Sequence, residues 1–134
     1  MTPRLLPVVA VIIAMTGNPL VAHHSESAQF DPSKPVKITG VIKAVEWTNP
    51  HIWIYVDVTD ANGRITTWGF SGGAPGMLTR RGITKSVLKI GDVVNVEGAQ
   101  ARDGSNNASV RRVTFADGRN VFAGTTEEGA GRAF

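Results

Sequence analysis

The run from Val36 to Trp47 constrains the fold most strongly. Val36, Ile38, Gly40, Ile42 and Ala44 alternate with Lys37, Thr39, Val41, Lys43 and Val45. A period of two fits a β-strand and not a helix, whose apolar positions recur every three to four residues. The strand is long, and Gly40 marks a bend or bulge within it. A long bent strand exposes two edges to pairing, so it favours a chain in which one strand serves both sides of a small closed sheet. Thr48, Asn49 and Pro50 end it.

The rest of the pattern is also β-rich. His51 to Thr59 reads as a second strand, with Ile52, Ile54, Val56 and Val58 on one face and His51, Trp53, Tyr55 and Asp57 on the other. Asn62-Gly63 is a strong hairpin signal, and Arg64 to Phe70 returns as a third strand. After the glycine-rich stretch Gly69 to Gly76, a short helix is expected at Pro75 to Arg81, and a capped turn at Thr84 to Lys89. Further strands are expected at Val93 to Glu97 and Ala108 to Phe115, with a short sixth at Asn120 to Phe122. The fold class is therefore mostly β, a small five- to six-stranded OB-like Greek-key barrel with one short helix between strands 3 and 4. An open sandwich or meander is the rival arrangement. No internal repeat is visible.

The N-terminal segment reads differently. Arg4, the apolar residues Leu5 to Ala14, the breakers Gly17, Asn18 and Pro19, and then Leu20-Val21-Ala22 have the layout of a secretory signal peptide cleaved after Ala22. The apolar run is shorter than the about 20 residues a spanning helix needs. A retained anchor and a buried helix are the alternatives, the second opposed by Pro3, Pro7 and Pro19. The expected organisation is 1–22 signal peptide, 23–35 extended N-terminal arm, 36–123 β-barrel domain and 124–134 disordered tail. Periplasmic or secreted localisation follows, with no stable membrane anchor after cleavage.

The chain has no cysteine, which removes disulfides, thiolate metal sites and a cysteine nucleophile. The net charge of +3 is spread along the chain, with Arg80–Arg81 and Arg111–Arg112 the only adjacent basic pairs. Nucleic-acid binding calls for a dense basic face, so no nucleic-acid partner is expected. Ser25, Ser71 and Ser86 have no triad context, and no carboxylate pairs with an evident nucleophile. The glycine-rich loop lacks the lysine and spacing of a phosphate-binding loop.

Two groups of residues remain as candidates for function. Cleavage after Ala22 makes His23 the first residue, and its amine and imidazole together form a chelate; His24 and His51 are the only other histidines. An all-nitrogen set of this kind suits copper or a similar transition metal. The ordinary reading is that His23 and His24 are exposed and that His51 packs beside Trp53. The second group is Trp47, Asn49, Trp53, Trp68 and Arg80, which would line an aromatic ligand- or protein-binding surface without metal. The ordinary reading there is that one or two of the tryptophans, Trp47 above all, are core.

Several landmarks together resemble a family of small exported bacterial proteins of unknown function. They are His23-His24-Ser25, Phe30-Asp31, Lys34-Pro35-Val36, Gly40-Val41 and Val45-Glu46-Trp47-Thr48-Asn49-Pro50-His51. Downstream come Gly72-Gly73, Arg80-Arg81-Gly82, Leu88, Gly91-Asp92-Val93-Val94 and Val96-Glu97-Gly98, then Ala101, Asp103-Gly104-Ser105 and Asp117-Gly118-Arg119. The resemblance implies export, a mature chain beginning with a His-His-Ser-like motif and a small β-barrel. It brings no activity with it. Glu26-Ser27 departs from the pattern, where members carry a Phe and small residues. The function expected is an exported non-enzymatic binding module. Its partner is a metal ion through His23, His24 and His51, or else a small ligand or periplasmic protein on the aromatic surface.

Overall fold

In the computed structural model, residues 26–121 and Gly124 are described. A short helix α1 (Glu26–Gln29) leads directly into β1 (Phe30–Glu46), followed by β2 (Trp53–Thr59) and β3 (Ile65–Ser71). Helix α2 (Pro75–Arg80) then precedes β4 (Val93–Ala101), β5 (Asn107–Phe115) and β6 (Asn120–Val121). The strands form one sheet in the order β3-β2-β1-β4-β5-β6, and β3 also pairs with β5. That extra pairing is parallel and joins Gly69 to Asn107, Phe70 to Ala108 and Ser71 to Ser109. Five strands thereby close into a barrel-like ring, the OB-like connectivity that the order of elements suggests. Among the described residues no helix is long and apolar enough to cross a membrane.

β1 makes the closure possible. Phe30 to Val41 pair with β4, and Val41 to Glu46 pair with β2. The changeover falls beside Gly40, where a Cβ would lie 2.3 Å from the Asp57 carbonyl oxygen and 2.7 Å from Val56 Cγ1. Only a residue without a side chain lets the strands approach that closely.

The bulge itself lies elsewhere than Gly40. The β1–β2 register shifts between Ile42 and Ala44. One extra residue reverses the facing of everything after it. Val45, which the plain alternation puts opposite Ile42, instead pairs with inward-facing Ile54, and it packs with Trp47 against the interior. The strand also starts at Phe30 and not at Val36, because Phe30 and Pro35 pair with Ala101 and Ala99 across a second irregularity.

The interior is filled by alternating residues. Ile54, Val56 and Phe70 are fully buried, as are Val96, Ala108 and Val113. Leu78 of α2, with Ile83 and Leu88 beyond it, joins the same cluster, so the β3–β4 connection supplies side chains to the core. Removing this apolar area from water supplies most of the folding free energy, at about 25 cal/mol per Å². At the tip of the β2–β3 hairpin, Asp60 Oδ1 accepts the amides of Asn62 and Arg64 at 2.8 and 2.9 Å, and Gly63 takes φ 77°.

A second, smaller cluster lies on the outer face. Ala99 and Ala101 alternate with residues facing the core, and they pack under Phe30 with Trp53 against them. This outer cluster, next to α1, places the site described next.

Candidate functional site

His51 sits at the corner between β1 and β2. The Asn49–Pro50 peptide just before it is cis. Ile52 locks the corner to the glycine-rich loop: its amide donates to the Gly73 carbonyl at 3.0 Å, and its carbonyl accepts the Gly72 amide at 2.9 Å. His51 Nδ1 lies 3.0 Å from the Gly72 carbonyl oxygen. A carbonyl oxygen can only accept, so Nδ1 carries the hydrogen and donates it. In the neutral ring the lone pair is then on Nε2. This is the arrangement by which a backbone carbonyl orients a metal-binding histidine. Gly72 and Gly73 thus turn backbone groups toward the His51 corner, which is the work this loop does in the fold.

His23 and His24 lie outside the described residues, as do the segment 1–22 expected to be a signal peptide and nearly all of the expected tail 124–134. Among the described residues no three His, Cys, Asp or Glu side chains come together as a metal-holding group. A site of the expected kind therefore depends on the N-terminal histidines. Two residues, His24 and Ser25, lie between His23 and the start of α1 at Glu26, a reach of about 10 Å at 3.3–3.6 Å per residue.

The residues of the expected aromatic surface are not all brought together. Trp47 and Trp68 are half-buried against the main core, and Trp68 stacks on Phe70 with ring centroids 6.2 Å apart. Trp53 belongs to the outer cluster and stacks on Tyr55 at 6.3 Å. Asn49 and Arg80 are exposed, Asn49 before the cis proline and Arg80 at the end of α2. The division follows from strand alternation: Trp68 pairs with inward Val56, whereas Trp53 pairs with Glu46 and Ser71.

Around Trp53 the structure forms a cavity of about 430 Å³ that the sequence reading does not anticipate. It lies between α1 and the β4–β5 connection, lined by Ala28, Gln29, Phe30, Trp53, Arg102 and Asn107 with Ala101, Asp103 and Ser105. The Arg102 amide donates to the Gln29 carbonyl at 2.9 Å, which ties the connection to the helix. The sequence signals that mark the place are Phe30, alone in a polar stretch, and the Asp103-Gly104-Ser105 turn.

The charges around the cavity are fixed locally. Arg102 Nη1 lies 3.7 Å from Asp31 Oδ2. The Ser33 hydroxyl and amide hydrogen-bond Asp31 and hold its carboxyl below the usual aspartate range. The Ser105 hydroxyl and amide do the same for Asp103. Beside the cavity, burial and then the Glu46 carboxylate push the Tyr55 phenol above its ordinary value.

The model of DUF6152, described as a family of unknown function, matches residues 10–110. No curated protein and no solved structure matches the chain.

Proposed function

Because this chain belongs to DUF6152, a family of unknown function, its role must be argued from its own residues, and we propose that it is an exported, non-enzymatic module that binds copper or a similar transition metal. The ligands are the amine and imidazole of His23, the imidazole of His24 and Nε2 of His51. Nitrogen donors favour copper(II), which binds most tightly in the divalent first-row series.

The observation that carries this reading is the orientation of His51, whose Nδ1 is committed to Gly72 and whose Nε2 is left for a ligand. A second observation supports it. Ala28 and Gln29, five and six positions after His23 in the chain, line a cavity with Trp53, which stands two residues from His51. Export to the periplasm rests on the signal-like segment and its cleavage box, and cleavage is what supplies the chelating amine.

The test is copper(II) titration of the processed protein, with intact mass establishing that it begins at His23. Tight stoichiometric binding is expected, weakened by His51→Ala and by one extra residue placed before His23. Unchanged affinity in the extended protein would sink the N-terminal chelate.

A further inference from the structure

The cavity beside Trp53 supplies no ligand in the metal reading, and its lining points to a ligand of its own. We propose that it binds a neutral mono- or disaccharide, stacked on Trp53 and hydrogen-bonded by Asn107, Ser105 and Gln29. At about 430 Å³ it falls within the roughly 300–1,000 Å³ range of small-molecule sites.

The apolar part of the lining is a floor with one partly exposed aromatic ring. Phe30 and Ala101 are 4% and 7% exposed and form the floor, whereas Trp53 is only partly buried. An indole offers a broad flat apolar body, and one face of a sugar ring is a patch of C–H bonds of similar size. Sugar hydroxyls each donate and accept. Asn107 and Gln29 carry amides that do both, and Ser105 adds a hydroxyl.

The charge around the cavity selects against ionic ligands. Arg102 is matched by Asp31, and Asp103 adds a further carboxylate held ionised by Ser105. Of the lining residues only Arg102 and Asp103 are charged, one of each sign, so an anion meets the Asp103 carboxylate. A cation in turn meets Arg102. A neutral polyhydroxylated molecule meets neither cost.

The polar groups are held in place before any ligand arrives. Asn107 Nδ2 donates to Ser105 Oγ at 3.1 Å, and the Ser105 amide donates to Asp103 Oδ1 at 2.9 Å. On the other side, Asn107 Oδ1 occupies the space over Gly69, only 2.6 Å from where a Cβ would stand there. Such preorganisation lowers the ordering cost of binding.

The experiment is calorimetric and NMR titration of the full processed protein with maltose, cellobiose and N,N′-diacetylchitobiose, with glucose 6-phosphate and AMP as charged comparisons. Saturable binding of at least one neutral disaccharide, with a shift of the Trp53 indole N–H, is expected. Trp53→Ala should weaken it roughly tenfold or more. Ala28→Trp should block it by filling the cavity from an exposed position, and this variant decides the matter if Trp53→Ala does not fold. Binding should persist in EDTA, so its presence or absence is separate from the copper result. Absence of binding to all three disaccharides, survival of binding in Ala28→Trp, loss in EDTA, or preference for a phosphorylated compound would each overturn the proposal.

Discussion

His51 donates from Nδ1 to the carbonyl oxygen of Gly72 at 3.0 Å, across a separation of 21 residues in the chain. The bond joins the β1–β2 corner to the loop after β3, and it fixes which ring nitrogen carries the hydrogen. It also has a measurable value in stability. His51→Phe keeps an aromatic ring but removes the donor, and should cost about 0.5–1.5 kcal/mol, read as a lower urea midpoint at constant slope. A midpoint equal to the parent's would show that the bond contributes nothing.

The proposed metal site carries a definite pH dependence. Both amine and imidazole must lose a proton to bind, and the reference amine pKa is about 7.7–8.0. Copper affinity of the processed protein should therefore rise steadily as pH is raised from mildly acidic to mildly basic. Calorimetry in buffers of different ionisation enthalpy should detect the released protons. Affinity independent of pH would rule out nitrogen donors.

Phe70 is fully buried at the centre of the main cluster, and its neighbours on β2 and β5 are pinned by backbone pairing. They cannot collapse into the space it leaves. Phe70→Ala should destabilise by about 3–5 kcal/mol. Ile65→Ala, at a position 61% exposed, should stay within about 0.5 kcal/mol. Urea unfolding of the two variants tests the contrast.

Gly98 faces Ser109 at the β4–β5 irregularity, and a Cβ there would stand 1.8 Å from the Ser109 carbonyl oxygen. That obstacle is backbone, so relief requires the ladder itself to open. Gly98→Ala should cost about 1–3 kcal/mol or more, with faster hydrogen exchange at the β4–β5 amides. An alanine variant as stable as the parent would contradict this geometry.

The Asp103 carboxyl is held down by the hydroxyl and amide of Ser105. A depressed native value means that this interaction stabilises the fold above the ordinary aspartate pKa and is lost as pH falls through the lower native one. Ser105→Ala removes the hydroxyl, the larger cause, and should move the Asp103 titration up toward the ordinary value. Carboxyl-carbon NMR of Asp103 in the two proteins reads the change directly.

The strands were largely legible because burial imposes a period of two. Ile54 and Val56 alternate with Trp53 and Tyr55 in the structure as the sequence pattern requires. Facing failed only past Ile42, where the one-residue bulge reverses it and brings Val45 and Trp47 inward. Of the candidate site, His51 was legible as a histidine at a turn. Its hydrogen bond to Gly72 was not, since nothing local links residues so far apart. The three tryptophans form one category in the sequence but two places in the fold.

The sequence by itself determined the mostly β class, the order of elements and the absence of thiol chemistry, because alternation, turn residues and composition act locally. Only the tertiary structure decided that β3 meets β5 to close the ring, and that Phe30, Trp53 and Asn107 converge on one cavity. It alone also turned the Nδ1 of His51 toward Gly72. Those outcomes depend on which distant strands pair and in what register, and a single slipped residue changes which side chains can meet.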